Sequence, residues 1–474
     1  TKLAIMLRRL PSAMVQALPS HQAAAPAASR VTRSSFMSSP RPVQQNEGAR
    51  QRQAREAFPS PSAISILGRR CSPQTQSKRS YRLMRDMVGD QNMLMQLFQI
   101  PEVAEARKFY EDGKLVLAAQ RLERAQEICA ASRMPELSFM AHEALAHVYA
   151  LVGEMVKEQY HREMCVEACA EIAAKSPSPA TNLGLFDSHL SACITDMKLG
   201  MFETVTLHKA KKYAGRLGKD GPAHQRAAEL VEALSMLAGS NPTSESEDIL
   251  DFLLDRVESC EKDCTQFPTL IATAHILLGM AYKRLGDDRV KDSWETAVNV
   301  IDNPTSDSEA SIKIAGLRRL AHLAIEQEDL EAAHKHATEA LKLAESARLP
   351  SLVTRSVYTN AKVRMAAGDF VVAEGLLRSC IARLVPVSGR QIVTWDLLDL
   401  QDITQTYCGL LEKLTINNQS RKAEADLQSQ KLTEIEAKHE VTAQAVESLR
   451  ASLVEQCFIN VFLPNIPLLL QAQY

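Results

Sequence analysis

Three residues with soft, metal-binding side chains recur at every fourth position of one segment: His161, Cys165 and Cys169. On a helix this spacing places all three on one face, where an imidazole and two thiolates could bind zinc. No fourth ligand lies nearby in the sequence. We therefore interpret these residues as the packing face of a helix, and we predict no metal site.

A second pair of cysteines, Cys260 and Cys264, has the same spacing. About 95 residues separate Cys260 from Cys165, so the two pairs belong to distant segments and are not expected to bridge each other. All ten cysteines are spread through segments with helical patterns. We predict that they are reduced and that most of them serve as small apolar packing residues.

The run from Gly215 to Gly221, which includes Lys219, is similar to a phosphate-binding loop. It lacks a first glycine at the required distance and the Ser or Thr after the lysine that would hold magnesium. A helix C-cap followed by a loop lysine explains the run better. No nucleophile elbow, dinucleotide fingerprint, metalloprotease helix or kinase signature occurs in the chain. The sequence therefore predicts a protein that is not an enzyme and that binds no cofactor.

The elements that position these residues are pairs of helices repeated along residues 101–385. Each copy is an amphipathic helix, a tight turn and a second amphipathic helix with small residues at fixed positions. Periodic helix pairs of this kind build solenoids, which usually bind other molecules. The clearest turns lie at Gly113, Gly153, Gly286, Glu328 and Gly368, and a weaker one lies at Gly200.

The copies resemble tetratricopeptide repeats, in which small residues lie where two helices cross closely. The segment Leu317–Leu341 fits best, with the small residues Ala321 and Ala337 on either side of the turn at Glu328. The resemblance implies an all-α fold, a right-handed superhelical solenoid of helix hairpins. It also implies that Ala321, Ala337 and Gly279 lie at crossings where larger side chains cannot fit, and that each unit touches only its neighbours.

The spacing of the turns supports seven units of roughly 42 residues. Successive turns fall 40, 47, 86, 42 and 40 residues apart, and the interval of 86 is about twice the others. Helices predicted at Pro222–Ala238 and Asp248–Lys262, with a turn near Asn241 and Pro242, fill that interval. Units of this length resemble those of kinesin light chains and MalT-type regulators.

In the tetratricopeptide family the first helix of each unit lines the concave face, which binds peptides. From Lys283 onward the corresponding positions in this chain are mostly basic, which favours an acidic peptide, a C-terminal carboxylate or a phosphorylated segment as the partner. The family's carboxylate clamp is matched only in part, because His322 stands where the family has asparagine. The sequence contains no basic patch interleaved with aromatic residues, so it does not predict nucleic-acid binding. The predicted groove residues are Arg107, Tyr110, Glu143, His147, Met280, Lys283, Arg284, Arg318, His322, Arg355, Tyr358 and Lys362.

The charge of the chain is distributed unevenly along its length. Residues 1–85 hold 15 Lys and Arg but only two acidic residues, whereas the remainder holds 40 basic and 55 acidic residues. Residues 1–46 contain no acidic residue at all. An acid-poor segment rich in Arg and Ser is typical of a mitochondrial transit peptide, and Arg69–Ser72 is similar to a matrix-protease site. The alternative is a disordered basic tail of a cytosolic or ciliary protein.

The sequence thus predicts four segments. Residues 1–85 are a disordered transit peptide and linker, and residues 86–415 are the repeat array. Residues 416–457 form a charged capping helix or a short coiled coil, and residues 458–474 form an apolar tail too short to span a membrane. The leading functional hypothesis is a mitochondrial scaffold, in the matrix or associated with the inner membrane, that holds a partner protein or is an accessory subunit of a complex. The alternatives are a cytosolic or cytoskeletal adaptor and a regulatory domain of a signalling enzyme.

Overall fold

The computed structural model describes residues 100–202, 205–239, 246–385, 392–414 and 419–438. These residues contain 16 α-helices and no strand, so the predicted all-α solenoid of helix hairpins is confirmed. The predicted transit peptide, the apolar tail and the charged segment beyond residue 438 lie outside the described residues. The helices are α1 Pro101–Glu111, α2 Leu115–Ala131, α3 Pro135–Val152, α4 Met155–Lys175, α5 Pro179–Lys198, α6 Val205–Ala214, α7 Gly221–Gly239, α8 Ser246–Asp263, α9 Pro268–Leu285, α10 Val290–Val300, α11 Asp307–Glu326, α12 Leu330–Ser346, α13 Pro350–Ala366, α14 Phe370–Leu384, α15 Thr394–Leu414 and α16 Gln419–Lys438.

The helices pair in chain order into hairpins, from α1–α2 to α15–α16. The first seven hairpins correspond to the seven predicted units. Helices α7 and α8 occupy the interval where the turn pattern is missing, within two residues of the predicted bounds. The charged helix α16 packs against α15 as the second helix of one more hairpin. The predicted turn near Asn241 and Pro242 lies outside the described residues.

The six predicted turn residues that the structure describes have left-handed backbone geometry. The φ angles of the glycines at 113, 153, 200, 286 and 368 run from 67° to 88°, and Glu328 has φ 60°. The residue after each turn donates its N–H to a carbonyl five residues earlier, as when Asp369 bonds Arg364 at 2.9 Å and Asp329 bonds Ala324 at 2.9 Å. This pattern caps the first helix of each hairpin and reverses the chain.

Small residues lie at the helix crossings, as predicted. Ala321 and Ala337 are fully buried in a cluster that joins α11 and α12 to α13. Gly279 on α9 faces Trp294 on α10, and a Cβ at Gly279 would lie 2.2 Å from the indole Nε1. That Nε1 donates to the carbonyl of Ile276 at 3.2 Å, so the N–H edge of the indole meets the α9 backbone.

The first helices of successive hairpins form the inner layer of the array. From α5 onward each first helix contacts the next first helix, through α7, α9, α11, α13 and α15. Among the described residues no comparable contact joins successive second helices. Polar contacts across this layer link residues one repeat apart, such as Arg318 with Thr359, 41 residues away. Side chains on the inner side of these helices therefore share one continuous surface.

The array does not remain open, which corrects the expectation that each unit touches only its neighbours. The Thr394 hydroxyl at the start of α15 donates to the Leu151 carbonyl of α3 at 3.1 Å, across 243 residues of sequence. Leu398 packs against Met155 beside Trp395. The last first helix thus contacts the second hairpin and closes the array, a contact that no nearest-neighbour repeat rule contains.

None of the helices in the described residues is both long and apolar enough to span a membrane.

Candidate functional site

The structure separates the predicted groove residues into two groups on the inner layer. Arg107 and Tyr110 lie on α1, Glu143 and His147 lie on α3, and the other eight lie on α9, α11 and α13. We call the first group the N-terminal sector. We call Lys283, Arg318, His322 and Lys362 the basic cluster. Two other predicted residues, Met280 and Arg284, flank Lys283 on α9, and Arg284 is exposed near the end of that helix.

A hydrogen bond joins the two helices of the N-terminal sector. The Tyr110 hydroxyl lies 3.0 Å from His147 Nε2, and the rings are tilted toward each other. Burial, together with the charges of Arg162 and Lys198, lowers the pKa of His147 to about 3. His147 is therefore neutral at pH 7 and contributes a hydrogen-bonding group rather than a charge.

A buried ion pair next to this sector was missed by sequence reasoning. Glu158 on α4 is 1% exposed, and Lys198 Nζ on α5 lies 2.9 and 3.2 Å from its two carboxylate oxygens. The Thr195 hydroxyl donates to the same carboxylate at 3.0 Å, and Arg162 Nε lies 3.9 Å away. Removing one partner of such a pair leaves an uncompensated buried charge, so this group holds α4 against α5. Lys198 is 40 residues from Glu158, and no local pattern reveals the pairing.

The basic cluster brings cations from three consecutive first helices around His322. The charges of Lys362, Arg318, Lys283 and Arg319 lower the pKa of this half-buried histidine to about 3, with burial as the largest cause. Arg318 Nε donates to the Thr359 hydroxyl at 3.1 Å, which fixes its direction. Lys362 Nζ lies 4.5 Å from the centre of the Tyr358 ring, a cation–π contact. The cluster is thus held in place by neighbouring side chains.

Arg355 and Tyr358 do not present free groups to the groove, which corrects the sequence-based list. Arg355 is 7% exposed, and its Nε lies 2.6 Å from the Asp399 carboxylate of α15. The Tyr358 hydroxyl lies 3.2 Å from the Asp402 carbonyl and 2.7 Å from the Thr406 hydroxyl. Both side chains hold α13 against α15. Replacing Arg355 would leave Asp399 without this partner, so we expect the change to destabilise the packing of α13 against α15.

Helix α15 contributes an acidic face that the sequence-based list does not contain. Asp396, Asp399 and Asp402 recur at every third position, and so share one side of the helix. Burial and the neighbouring Asp399 raise the pKa of Asp396 to about 6. The last predicted groove residue is Lys362 on α13. The same inward positions carried one helix further would have found these aspartates.

The zinc-like triad is a packing face, as interpreted from the sequence. His161 Nδ1 lies 2.8 Å from His142 Nδ1, and the thiols of Cys165 and Cys169 each lie 3.8 Å from a backbone carbonyl. Groups of three or more potential metal ligands are not found in the described part of the chain.

The other candidate sites also have structural explanations. Cys260 and Cys264 are fully buried at the end of α8, where the Cys264 N–H donates to the Cys260 carbonyl at 2.9 Å. The glycine-rich run passes from the end of α6 through a short 3-10 turn that contains Lys219 to Gly221, the first residue of α7. It connects two hairpins.

No family model and no curated protein matches this chain. Several solved structures are similar to it. BtubC from P. vanneervenii is 16% identical with a TM-score of 0.40, over 48% of this chain and 90% of that chain. The apo form of RapI is 12% identical with a TM-score of 0.40, over 62% of this chain and 99% of that chain. Yeast Tom70 is 12% identical with a TM-score of 0.19, over 74% of this chain and 93% of that chain.

Helix hairpins with left-handed turn residues, small residues at the crossings and an inner layer of first helices agree with the fold that the resemblance to tetratricopeptide repeats implies. The predicted all-α fold of helix hairpins is thus confirmed for the described residues.

Proposed function

We propose that this protein is a non-catalytic scaffold that binds a segment of a partner protein on the inner layer of its repeat array. The observation that carries the proposal is the basic cluster on α9, α11 and α13. A surface that gathers cations from three helices favours an anionic partner.

The charge balance of the array supports this interpretation. The chain after residue 85 holds 55 acidic and 40 basic residues, yet cations dominate around His322. Within the described residues Lys362 forms a cation–π contact with Tyr358 and no ion pair. Burial and the charge of Arg318 lower the pKa of Lys362, and the charge of Asp402 offsets this only in part, so the ammonium form is disfavoured overall. An anionic segment of a partner would favour the ammonium form.

Replacing two lysines of the cluster should weaken partner binding without damaging the fold. Lys283→Gln with Lys362→Gln removes two positive charges, neither of which is paired with a buried carboxylate. We expect the double variant to bind the partners captured by the full chain about tenfold or more weakly than the parent does. In the parent, we expect the affinity to decrease as salt is added. Affinity capture from mitochondrial and cytosolic extracts, followed by titration of each captured protein, measures this.

The matched control is Lys335→Gln with Lys342→Gln, which makes the same charge change on exposed positions of the outer helix α12. Both double variants should unfold at the parent temperature. If the cluster variant retains every partner at parent affinity, the inner layer is not the binding surface. If the control loses them equally, binding depends only on net charge.

We also propose that the scaffold works in mitochondria, with an adaptor in the cytosol as the alternative. The support is the composition of residues 1–85, in which positive charge and the lack of acidic residues suit import driven by the membrane potential. A fluorescent protein carrying this segment should enter mitochondria, and Arg8→Glu with Arg9→Glu should prevent its entry. A diffuse cytosolic signal from the unchanged segment would instead favour the adaptor.

A further inference from the structure

The buried apolar residues of the array form two large clusters rather than one. The first cluster joins α1, α2, α3 and α4, and Leu185 is its only buried member on α5 among the described residues. The second cluster runs from Phe186 on α5 to Ala425 on α16. We call α1–α4 the N-terminal block and α5–α16 the main block. Because each block has its own core, the two blocks can move relative to each other without breaking either core.

The seam between the two blocks lies between α4 and α5, and it is apolar at one end. There the last turns of α4 meet the first turns of α5. Cys169 and Ile172 on α4 belong to the same cluster as Leu185. The Cys169 thiol donates to the Thr181 carbonyl at 3.8 Å. This end keeps α5 attached to the N-terminal block, so it is the pivot for a movement of one block against the other.

The opposite end of this seam is polar. Lys198 Nζ lies 2.9 Å from the Glu158 carboxylate. The Gln159 amide donates to the Asp196 carboxylate at 3.0 Å. Burying an ion pair is costly because both charges lose their hydration, and water hydrates them again when the seam opens at this end. The polar end therefore separates at a lower cost than an apolar contact of the same size.

The contact that closes the array lies next to the polar end of the seam. It joins the start of α15 to the N-terminal block, within one helical turn of Glu158, and we call it the clasp. The apolar part of the clasp is a small cluster that is separate from both cores, so it can break while both cores stay intact. The clasp residues are Leu151, Met155, Val393, Thr394, Trp395 and Leu398.

With the clasp shut, the array encloses its inner layer. Successive first helices from α5 to α15 contact one another, and the clasp joins α15 back to α3. A partner segment that has folded domains on both sides cannot be threaded through such a ring. It can reach the inner layer only through an opening in the side of the array. The clasp and the polar end of the seam lie together at one such place.

We propose that the clasp is a gate that admits a partner segment to the inner layer from the side. The N-terminal block swings away from α15, the polar end of the seam opens with the clasp, and the apolar end of the seam is the pivot. Opening is a much smaller event than unfolding, because both cores stay intact. The admission of a partner segment rests on the proposed function, whereas the opening of the clasp does not.

Thiol labelling of the full chain measures whether the clasp opens. Thr394→Cys places a side chain of similar size in the clasp, where Thr394 is 1% exposed. Thr273→Cys is the matched control, because Thr273 is fully buried on α9 in the main block. Peptide mass spectrometry after N-ethylmaleimide treatment gives the labelling rate of each thiol. We expect the thiol at position 394 to be labelled about a hundredfold faster and with a weaker dependence on urea, because opening exposes less surface than unfolding.

A disulfide across the clasp tests whether the gate controls binding. A Cβ at Gly153 would lie 3.7 Å from the Thr394 Cβ, within the range of a disulfide. Gly153→Cys with Thr394→Cys, oxidised by glutathione disulfide, should therefore hold the clasp shut. We expect the proteins captured by the full chain to associate with the oxidised variant about tenfold or more slowly than with the same variant after reduction. The reduced variant controls for the strain of a cysteine at the positive φ of Gly153.

Two results would overturn the gate. One is a thiol at position 394 that is labelled no faster than the thiol at position 273, which means that the clasp breaks only on unfolding. The other is equal association rates of the oxidised and reduced variants, which means that partner segments enter by another route. If either occurs while Lys283→Gln with Lys362→Gln still weakens partner binding, the scaffold function stands and only the gate fails. If that double variant also binds every partner at parent affinity, both fail.

The polar end of the seam supplies an independent check. Glu158→Leu with Lys198→Met replaces the buried ion pair by apolar side chains, which gain no hydration when the seam opens. Thr195 keeps an acceptor, because its hydroxyl also donates to the Ser191 carbonyl at 3.1 Å. In a chain that also carries Thr394→Cys, we expect this change to slow labelling about tenfold. An unchanged or faster rate would contradict the proposed role of the polar end.

Discussion

Gly279→Val should lower the free energy of unfolding by about 3 kcal/mol. Even a single Cβ at this position would lie 2.2 Å from Trp294 Nε1 and 2.4 Å from Cδ1, distances that no relaxation of a flexible side-chain tip can accommodate. The indole is 3% exposed and bonded to the Ile276 carbonyl, so moving it breaks that bond and opens the α9–α10 crossing. Urea unfolding followed by circular dichroism measures the loss.

Gly375→Val is the matched control, because a Cβ at Gly375 on α14 meets nothing within 4 Å. Its change in stability should stay within about 1 kcal/mol. Shortening the indole in Gly279→Val with Trp294→Leu should recover part of the loss, since the two side chains compete for one space. Equal stability of the two valine variants would show that the crossing is loosely packed.

The parts of the fold that the sequence predicts are those with local causes. A residue that must adopt positive φ is usually glycine, so five of the six turns could be located directly. The sixth, at Glu328, was found because its flanking helices repeat the same small residues. Trp294 on α10 lies only 15 positions from Gly279, and its role follows once the turn at Gly286 pairs their helices.

The parts that could not be predicted depend on partners far along the chain. The Arg355 ion pair with Asp399 spans 44 residues, and the hydrogen bond from Thr394 to Leu151 spans 243. Helical periodicity places Arg355 on an inward face but does not state what faces it. The basic cluster differs because its members lie at predicted inward positions of successive first helices, and a resemblance to a repeat family transfers those positions from unit to unit.

A pair of buried histidines should make the second hairpin sensitive to acid. His142 and His161 are 4% and 7% exposed, and their Nδ1 atoms lie 2.8 Å apart. The Gln126 amide nitrogen, 3.4 Å from His142 Nε2, can only donate, so His142 donates its Nδ1–H to His161. Both rings are then neutral. A second proton on the His161 ring, at Nδ1, would place two N–H groups against each other.

The sign of the pH effect follows from where each state binds protons. Burial lowers the pKa of His142 to about 4 and that of His161 to about 3, whereas in the unfolded chain both lie near 6.5. Well above pH 6.5 neither state is protonated, and these two histidines cost no stability. Below pH 6.5 the unfolded chain gains protons that the folded array excludes. Each histidine therefore lowers the free energy of unfolding by about 1.4 kcal/mol per pH unit. By pH 4.5 the two histidines together should lower the free energy of unfolding by about 5 kcal/mol relative to neutral pH.

The double variant His142→Leu with His161→Phe isolates this pair from the other groups that titrate in the same range. Replacing both partners by apolar side chains leaves no orphaned ring nitrogen between them, so the variant should fold at pH 7. Urea unfolding at pH 7, 6 and 5 should show the parent losing stability steeply and the double variant losing it more gently. His334→Leu, a change at an exposed position of α12, should follow the parent. If the free energy of unfolding of the double variant falls with pH as steeply as that of the parent, acid destabilises the array at other residues. Buried His189 on α5, whose pKa is also lowered to about 4, would then be the next group to replace.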